Sequence, residues 1–154
     1  MSKSGGSLGR MFVVAVLSVA PSLVSASNWR GIGPGLSAST PTGKRLVADE
    51  EIDLESIAPI GKYVKAWLRE TYRQDVLHPT IKKQFRVESD LWYYNCSDRT
   101  AVLMALTLFN SHNEVVFNWS DLTDYTGESP VGPDSVGEYA LDRVCKAAKA
   151  RAKQ

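Results

Sequence analysis

Two cysteines carry the clearest chemistry in this chain, Cys96 and Cys145. They stand 49 positions apart, far from the Cys-x-x-Cys spacing that a redox pair places at a helix start. In an oxidising compartment the default for such a pair is one structural disulfide. It would close a loop of about 50 residues, worth roughly 4 kcal/mol in the chain-entropy model; an intermolecular bridge is the other pairing open to it. The two histidines, His78 and His112, both fall in expected turns. A zinc site would need two further Asp or Glu ligands, and no recognisable spacing supplies them, so both read as surface residues. Gly132-Pro133-Asp134-Ser135-Val136-Gly137 is a Gly-x-x-Ser-x-Gly run with no strand leading into it. A nucleophile elbow needs Gly-x-Ser-x-Gly after a strand; Ser135 reads as a helix cap. The sequence therefore assigns no catalytic residue, no cofactor-binding residue and no metal ligand.

Carboxylates and aromatics are the remaining candidates. Asp49, Glu50, Glu51, Asp53 and Glu55 form an acidic run that reads as a solvated edge, with a calcium or cationic-partner site as the sharper alternative. A glycosidase pair would have to be drawn from such residues, yet nothing singles out two of them. Lys146 to Lys153 form a basic end, read as solvated, with an anionic partner as the sharper reading. Trp67, Trp92, Tyr94 and Trp119, with Tyr93, sit on neighbouring expected strands and make the candidate binding face. Trp92 and Tyr93 must point to opposite faces, so one of them belongs to the core.

The elements that position these residues read as strands closed by one helix. Arg45 to Ala48 is a short strand, and Asp53 to Ile57 leads into a turn at Pro59 to Gly61. From Lys62 to Tyr72 the chain alternates, with Tyr63, Lys65, Trp67 and Arg69 on one face and Val64, Ala66 and Leu68 on the other. His78-Pro79 interrupts, and Lys83 to Cys96 forms a long strand before a tight connection at Ser97-Asp98. Arg99 to Phe109 is apolar on both faces, as expected of a central strand, with Val115 to Trp119 as its hairpin partner. A Gly/Pro/Asp-rich loop spans 120–134. The helix starts at Ser135, with Glu138 completing a capping box. Its expected sheet-facing stripe is Val136, Tyr139, Ala140 and Val144. The fold class is α+β: an antiparallel meander of about five to six strands, the C-terminal helix packed on one face and the other face without an obvious cover.

The N-terminus carries an export pattern. Lys3 and Arg10 precede the apolar stretch Met11 to Ala20, and Val24-Ser25-Ala26 is a small-x-small cleavage site. Residues 1–26 are the expected signal peptide, 27–43 (Gly/Ser/Pro/Thr-rich) a disordered leader, 44–150 the domain and 151–154 a basic tail. Losing Lys3 and Arg10 leaves 16 basic residues against 17 acidic, a net charge of −1. Nucleic-acid affinity resting on phosphate contacts would need a clearly basic chain, so nucleic acid is not an expected partner. No later apolar run reaches the length of a membrane span, and Ser27 offers no lipoprotein acceptor. The mature chain is expected to be periplasmic or secreted, without a lipid anchor.

The order of these features resembles the surface-adhesin protein E family of small exported bacterial domains. Asp53 with Ser56-Ile57 comes first, then a strand from Tyr63 to Trp67, then Tyr94-Asn95-Cys96. An Arg-initiated strand from Arg99 to Leu106 follows, and Pro133, Ser135 and Glu138 lead to Val144-Cys145. The match spans about residues 44 to 146. The resemblance implies an antiparallel sheet flanked by the C-terminal helix, a Cys96–Cys145 disulfide, and non-enzymatic binding of a protein or envelope ligand; the family's namesake binds host matrix and serum proteins. That namesake is lipid-anchored, and this chain departs from it at residue 27. The matching positions are framework residues, so no contact residue carries over. Two rival functions remain: a small apolar-ligand carrier holding its ligand between sheet and helix, and an envelope hydrolase using Asp or Glu residues.

Overall fold

The computed structural model describes residues 27–32, 36–39, 45–122 and 127–153. The expected signal peptide and its cleavage site lie outside the described residues. One antiparallel sheet runs in the main order β1 (Trp29–Gly31), β3 (Arg45–Asp53), β5 (Tyr63–Leu77), β6 (Gln84–Asn95), β7 (Thr100–Phe109) and β8 (Val115–Ser120). The short strands β2 (Leu36–Ser39), β4 (Ala58–Ile60) and β9 (Ser129–Pro130) pair with β3, β5 and β7 respectively. These nine strands among the described residues exceed the five to six expected. The additions are short segments held by backbone hydrogen bonds, which need no hydrophobic alternation to announce them.

Two of them correct the reading of 27–43 as a disordered leader. β1 pairs Trp29 with Asp53 and Gly31 with Glu51, and β2 pairs Leu36 with Ala48. The Trp29 ring also lies 4.2 Å from the Arg69 guanidinium carbon, a cation–π contact that holds the segment to the sheet.

Side-chain alternation sorts the long strands as expected. Val64, Ala66 and Leu68 face one way, into a cluster with Ile52, Tyr94 and Ala101. Tyr63 and Trp67 face the other way, with Tyr93, Val102 and Met104. β7 is central, buried on both faces. Its register against β6 slips between Leu91 and Trp92, leaving Met104 as an extra residue, and this bulge turns both Met104 and Ala105 into the second cluster. That face is covered too, since Tyr93 and Met104 are 5% and 0% exposed. Beside Tyr63, the Glu128 carboxylate accepts from the hydroxyls of Tyr63 and Thr100, the Lys62 ammonium and the Asn95 amide. These bonds, led by Thr100 and Tyr63, hold the Glu128 carboxyl well below the usual range. They also fix the chain that runs into β9.

The α-helix α1 (Val136–Arg151) is capped as the sequence indicates: Ser135 Oγ accepts from the Glu138 amide at 3.1 Å. Glu138 reaches back one residue further than a capping box requires, to the Asp134 amide at 2.7 Å. The packed stripe is Ala140, Leu141 and Val144. Tyr139, expected in the stripe, is 55% exposed. Cys145 has to face the sheet to reach Cys96, which turns the inward side toward 141 and away from 139. Three attachments seat the helix. Arg99 binds Glu138 and Asp142 at 2.6 and 2.9 Å. Cys145 is bonded to Cys96, with Cα atoms 5.8 Å apart. Arg151, assigned to a basic tail, instead belongs to α1 and donates to the Leu54 and Ile57 carbonyls at 2.7 Å.

Cys96→Ser is expected to lower unfolding stability by a few kcal/mol, read as a shifted denaturant midpoint; an unshifted midpoint would contradict a structural role for the bond. Ser135→Ala is expected to cost about 1 kcal/mol through loss of the cap, measured the same way.

Candidate functional site

The even-numbered residues of β6, with their partners in register, build one face of the sheet. Val64 stands opposite Tyr94, and Ala66 opposite Trp92. The next row is Ile52–Leu68–Asp90, and the one beyond is Glu50–Glu70–Glu88. Three carboxylates thus lie side by side across three strands, with Asp90 two residues from Glu88 on the same face. Directly opposed residues have Cβ atoms only about 5 Å apart, and like charges at that spacing repel.

Over this face lies a recess of about 350 Å³. Its floor is Glu50, Glu70 and Asp90, its wall includes Trp92 and Tyr94, and its roof is Val131 and Val136 at the start of α1. The roof is placed by pairing of Thr100 with Pro130 and by the Val131 amide donating to the Arg99 carbonyl at 3.0 Å. Among the described residues no Lys, Arg or His lines the recess.

The floor is deeply buried for acidic side chains: Glu50 is 5% exposed and Asp90 7%. Part of the cluster is satisfied internally. Tyr72 Oη donates to Glu70 Oε2 at 2.6 Å, and the Trp92 indole and the Glu88 carboxyl bond to Asp90. Glu50 Oε2 and Asp90 Oδ1 have no hydrogen-bond partner. Burial and then the neighbouring Glu70 charge push the Glu50 carboxyl up to about 8. Burial and then the charges of Glu88 and Glu70 raise Asp90, and burial and then Glu70 raise Glu88. The hydroxyls of Tyr72 and Tyr94 are pushed up as well, chiefly by burial. An unpaired buried carboxylate is costly, so Glu50, Glu88 and Asp90 retain protons that a solvated carboxyl would release.

The candidate binding residues separate on this framework. Trp92 and Tyr94 reach the recess, Tyr94 as a buried wall at 2% exposure. Trp67 packs on the opposite face against the Tyr63 cluster. Trp119, opposite Leu106 in β8, is 41% exposed and lies outside the recess. The acidic run is not one solvated edge. Glu51 and Asp49 pair with Arg69 and Arg73 at 2.6 and 3.7 Å. Asp53 caps the short turn Leu54–Ser56 by accepting from the Glu55 amide, and Glu50 turns inward. Glu70, Glu88 and Asp90 were not singled out in the sequence. The signal for them is parity: Leu68-x-Glu70-x-Tyr72 and Glu88-x-Asp90-x-Trp92-x-Tyr94 put acids in step with core residues. His78 serves its turn, with Nδ1 accepting from the Thr80 and Ile81 amides. Among the described residues no His, Cys, Asp and Glu group converges as a metal site would.

Sheet, disulfide-tied helix and lined recess define a small one-disulfide α+β domain with the outline of a binding module. A family model for surface-adhesin protein E matches residues 44–146, and the chain belongs to that family. Among solved structures it is similar to protein E from non-typeable Haemophilus influenzae. That likeness has 14% identity and a TM-score of 0.45, covering 79% of this chain and 86% of that one. No curated protein matches it in sequence.

Because the Glu50, Glu88 and Asp90 carboxyls are raised in the folded state, the fold binds more protons than the unfolded chain between about pH 4.5 and pH 8. Stability should therefore fall as pH rises through that window. Glu50→Gln is expected to raise stability at pH 8 by roughly 1–3 kcal/mol and to flatten the dependence, while changing little at pH 4.5. Denaturant melts at the two pH values check this.

Proposed function

We propose that this chain is an exported, non-enzymatic binding domain that takes its partner at the recess between the sheet and the start of α1. The observation that carries the reading is a lined recess whose floor includes Glu50 and Asp90, each with one buried carboxyl oxygen that has no hydrogen-bond partner. Buried polar atoms are paired in nearly all folded proteins, and those left open mark places where something else completes them. The recess lies within the usual size range of ligand sites, about 300–1,000 Å³. Membership of a surface-adhesin family supports export and adhesive binding. Among the described residues no helix is long and apolar enough to cross a membrane.

Against the hydrolase stands the arrangement of the acids. Hydrolytic pairs flank the bond they cleave and have environments that push their ionisation apart. Here the carboxyls lie side by side on one floor, and burial pushes Glu50, Glu88 and Asp90 in the same direction. Against a carrier of purely apolar ligands stands the acidic floor itself.

Gly132 sits at the mouth, and a Cβ there would meet nothing within 4 Å. Gly132→Trp should thus fill the mouth without disturbing the fold. Partner capture from envelope and extracellular fractions by the mature chain is expected to be lost in Gly132→Trp and in Trp92→Ala, with circular dichroism unchanged. Capture that survives both substitutions would place binding elsewhere on the molecule.

A further inference from the structure

We propose that the recess is a site for an organic cation, an ammonium or guanidinium group on an apolar stem, held by the acidic floor and sandwiched between Trp92 and the Val131–Val136 roof. The proposal rests on the reading of the recess as the binding site and names the chemistry of what enters it.

Among the described residues the floor presents carboxylates with no counter-charge. Glu50 comes from β3, Glu70 from β5, and Asp90 with Tyr94 from β6, while the segment leading into α1 and the helix itself add no charged side chain to the lining. Arg69, Arg73 and Arg86 on the same strands are engaged elsewhere: Arg69 binds Glu51 at 2.6 Å, Arg73 lies 3.7 Å from Asp49, and Arg86 binds Asp75 at 2.9 Å. The N-terminus of α1 brings about half a positive charge to the rim, too little to offset several carboxylates.

A cation would complete what is open. Glu50 Oε2 and Asp90 Oδ1 are vacant acceptors, and an ammonium or guanidinium brings several donors and no acceptor. A divalent metal fits less well, because the acids spread across adjacent strands and do not converge. The apolar upper half has no use for a bare ion, but it suits an aliphatic or aromatic stem, and an indole face beside a cation adds its own attraction. Such a group could arrive as a free amine or as a Lys or Arg side chain of a protein; the chemistry of the site is the same.

Entry of a cation favours the ionised floor, so binding should expel protons and strengthen as pH rises from 6 to 8.5. The test uses the mature chain and calorimetry with benzylammonium and n-butylguanidinium, against neutral benzyl alcohol and calcium alone. A Gly-Gly-Lys-Gly-Gly peptide, against its Gln counterpart, distinguishes a side-chain source from a free amine. The expected result is binding of the organic cations with proton release, weakened about tenfold or more by Glu50→Gln or Asp90→Asn, with both variants folded. Binding of benzyl alcohol as strong as benzylammonium, indifferent to both substitutions, would overturn the cation while leaving the recess as a binding site. Binding of calcium but of neither organic cation would overturn it in favour of a metal. No binding by any probe also overturns it, whereas the proposed binding role fails separately, through partner capture that ignores Gly132→Trp.

Discussion

The Cys96–Cys145 bond decides which part of the sheet the helix can roof. Cys96 follows directly on β6, and Cys145 lies in the C-terminal half of α1. Joining them lays the Ala140–Leu141–Val144 stripe over the rows of Ala66, Leu68 and Tyr94 and leaves the start of the helix hanging beyond the packed rows. The Arg99 clamp on Glu138 and Asp142 and the Arg151 bonds to Leu54 and Ile57 act on the same placement. Toward Glu50 and Glu70 the same face is roofed across the recess by Val131 and Val136.

Burial and charge work against each other on this face. The register puts Glu50, Glu70 and Glu88 in one row, where mutual repulsion and desolvation both disfavour ionisation. The fold tolerates them by internal hydrogen bonds from Tyr72 and Trp92 and by holding protons. A framework selected for stability alone would place apolar residues there, as it does at Ile52 and Leu68 one row away. Stability is given up where the recess is made, the pattern expected of a site kept for binding.

Much of the fold was legible because alternation is explicit in the long strands. Val64 to Leu68 against Tyr63 and Trp67 sort to the faces their parity indicates, and the two-sided apolar run of β7 marks a central strand whose parity breaks only at the Met104 bulge. The Ser135 cap and the pairing of the cysteines were legible for equally local reasons. β1 and β2 were not, since edge pairing by backbone groups leaves no apolar pattern in a Gly/Ser/Pro-rich stretch. The site was half legible. Trp92 and Tyr94 stood out as aromatics, whereas Glu70, Glu88 and Asp90 read as ordinary surface acids because their burial depends on register between strands distant in sequence. Tyr139 misled for the opposite reason: helical spacing allowed it inward, but the disulfide fixed a different rotation.

The central claim is that Glu50 and Asp90 stand buried on an uncompensated floor, with Glu88 bonded to Asp90 beside it. Side-chain carboxyl chemical shifts of the mature chain, followed by NMR from pH 3 to 10, test it most directly. The account predicts that these three resonances titrate with midpoints above about 6, against about 4 for a carboxyl free in water. If all of them titrate together near 4, the acids are solvated or paired, and the recess described here does not exist in solution.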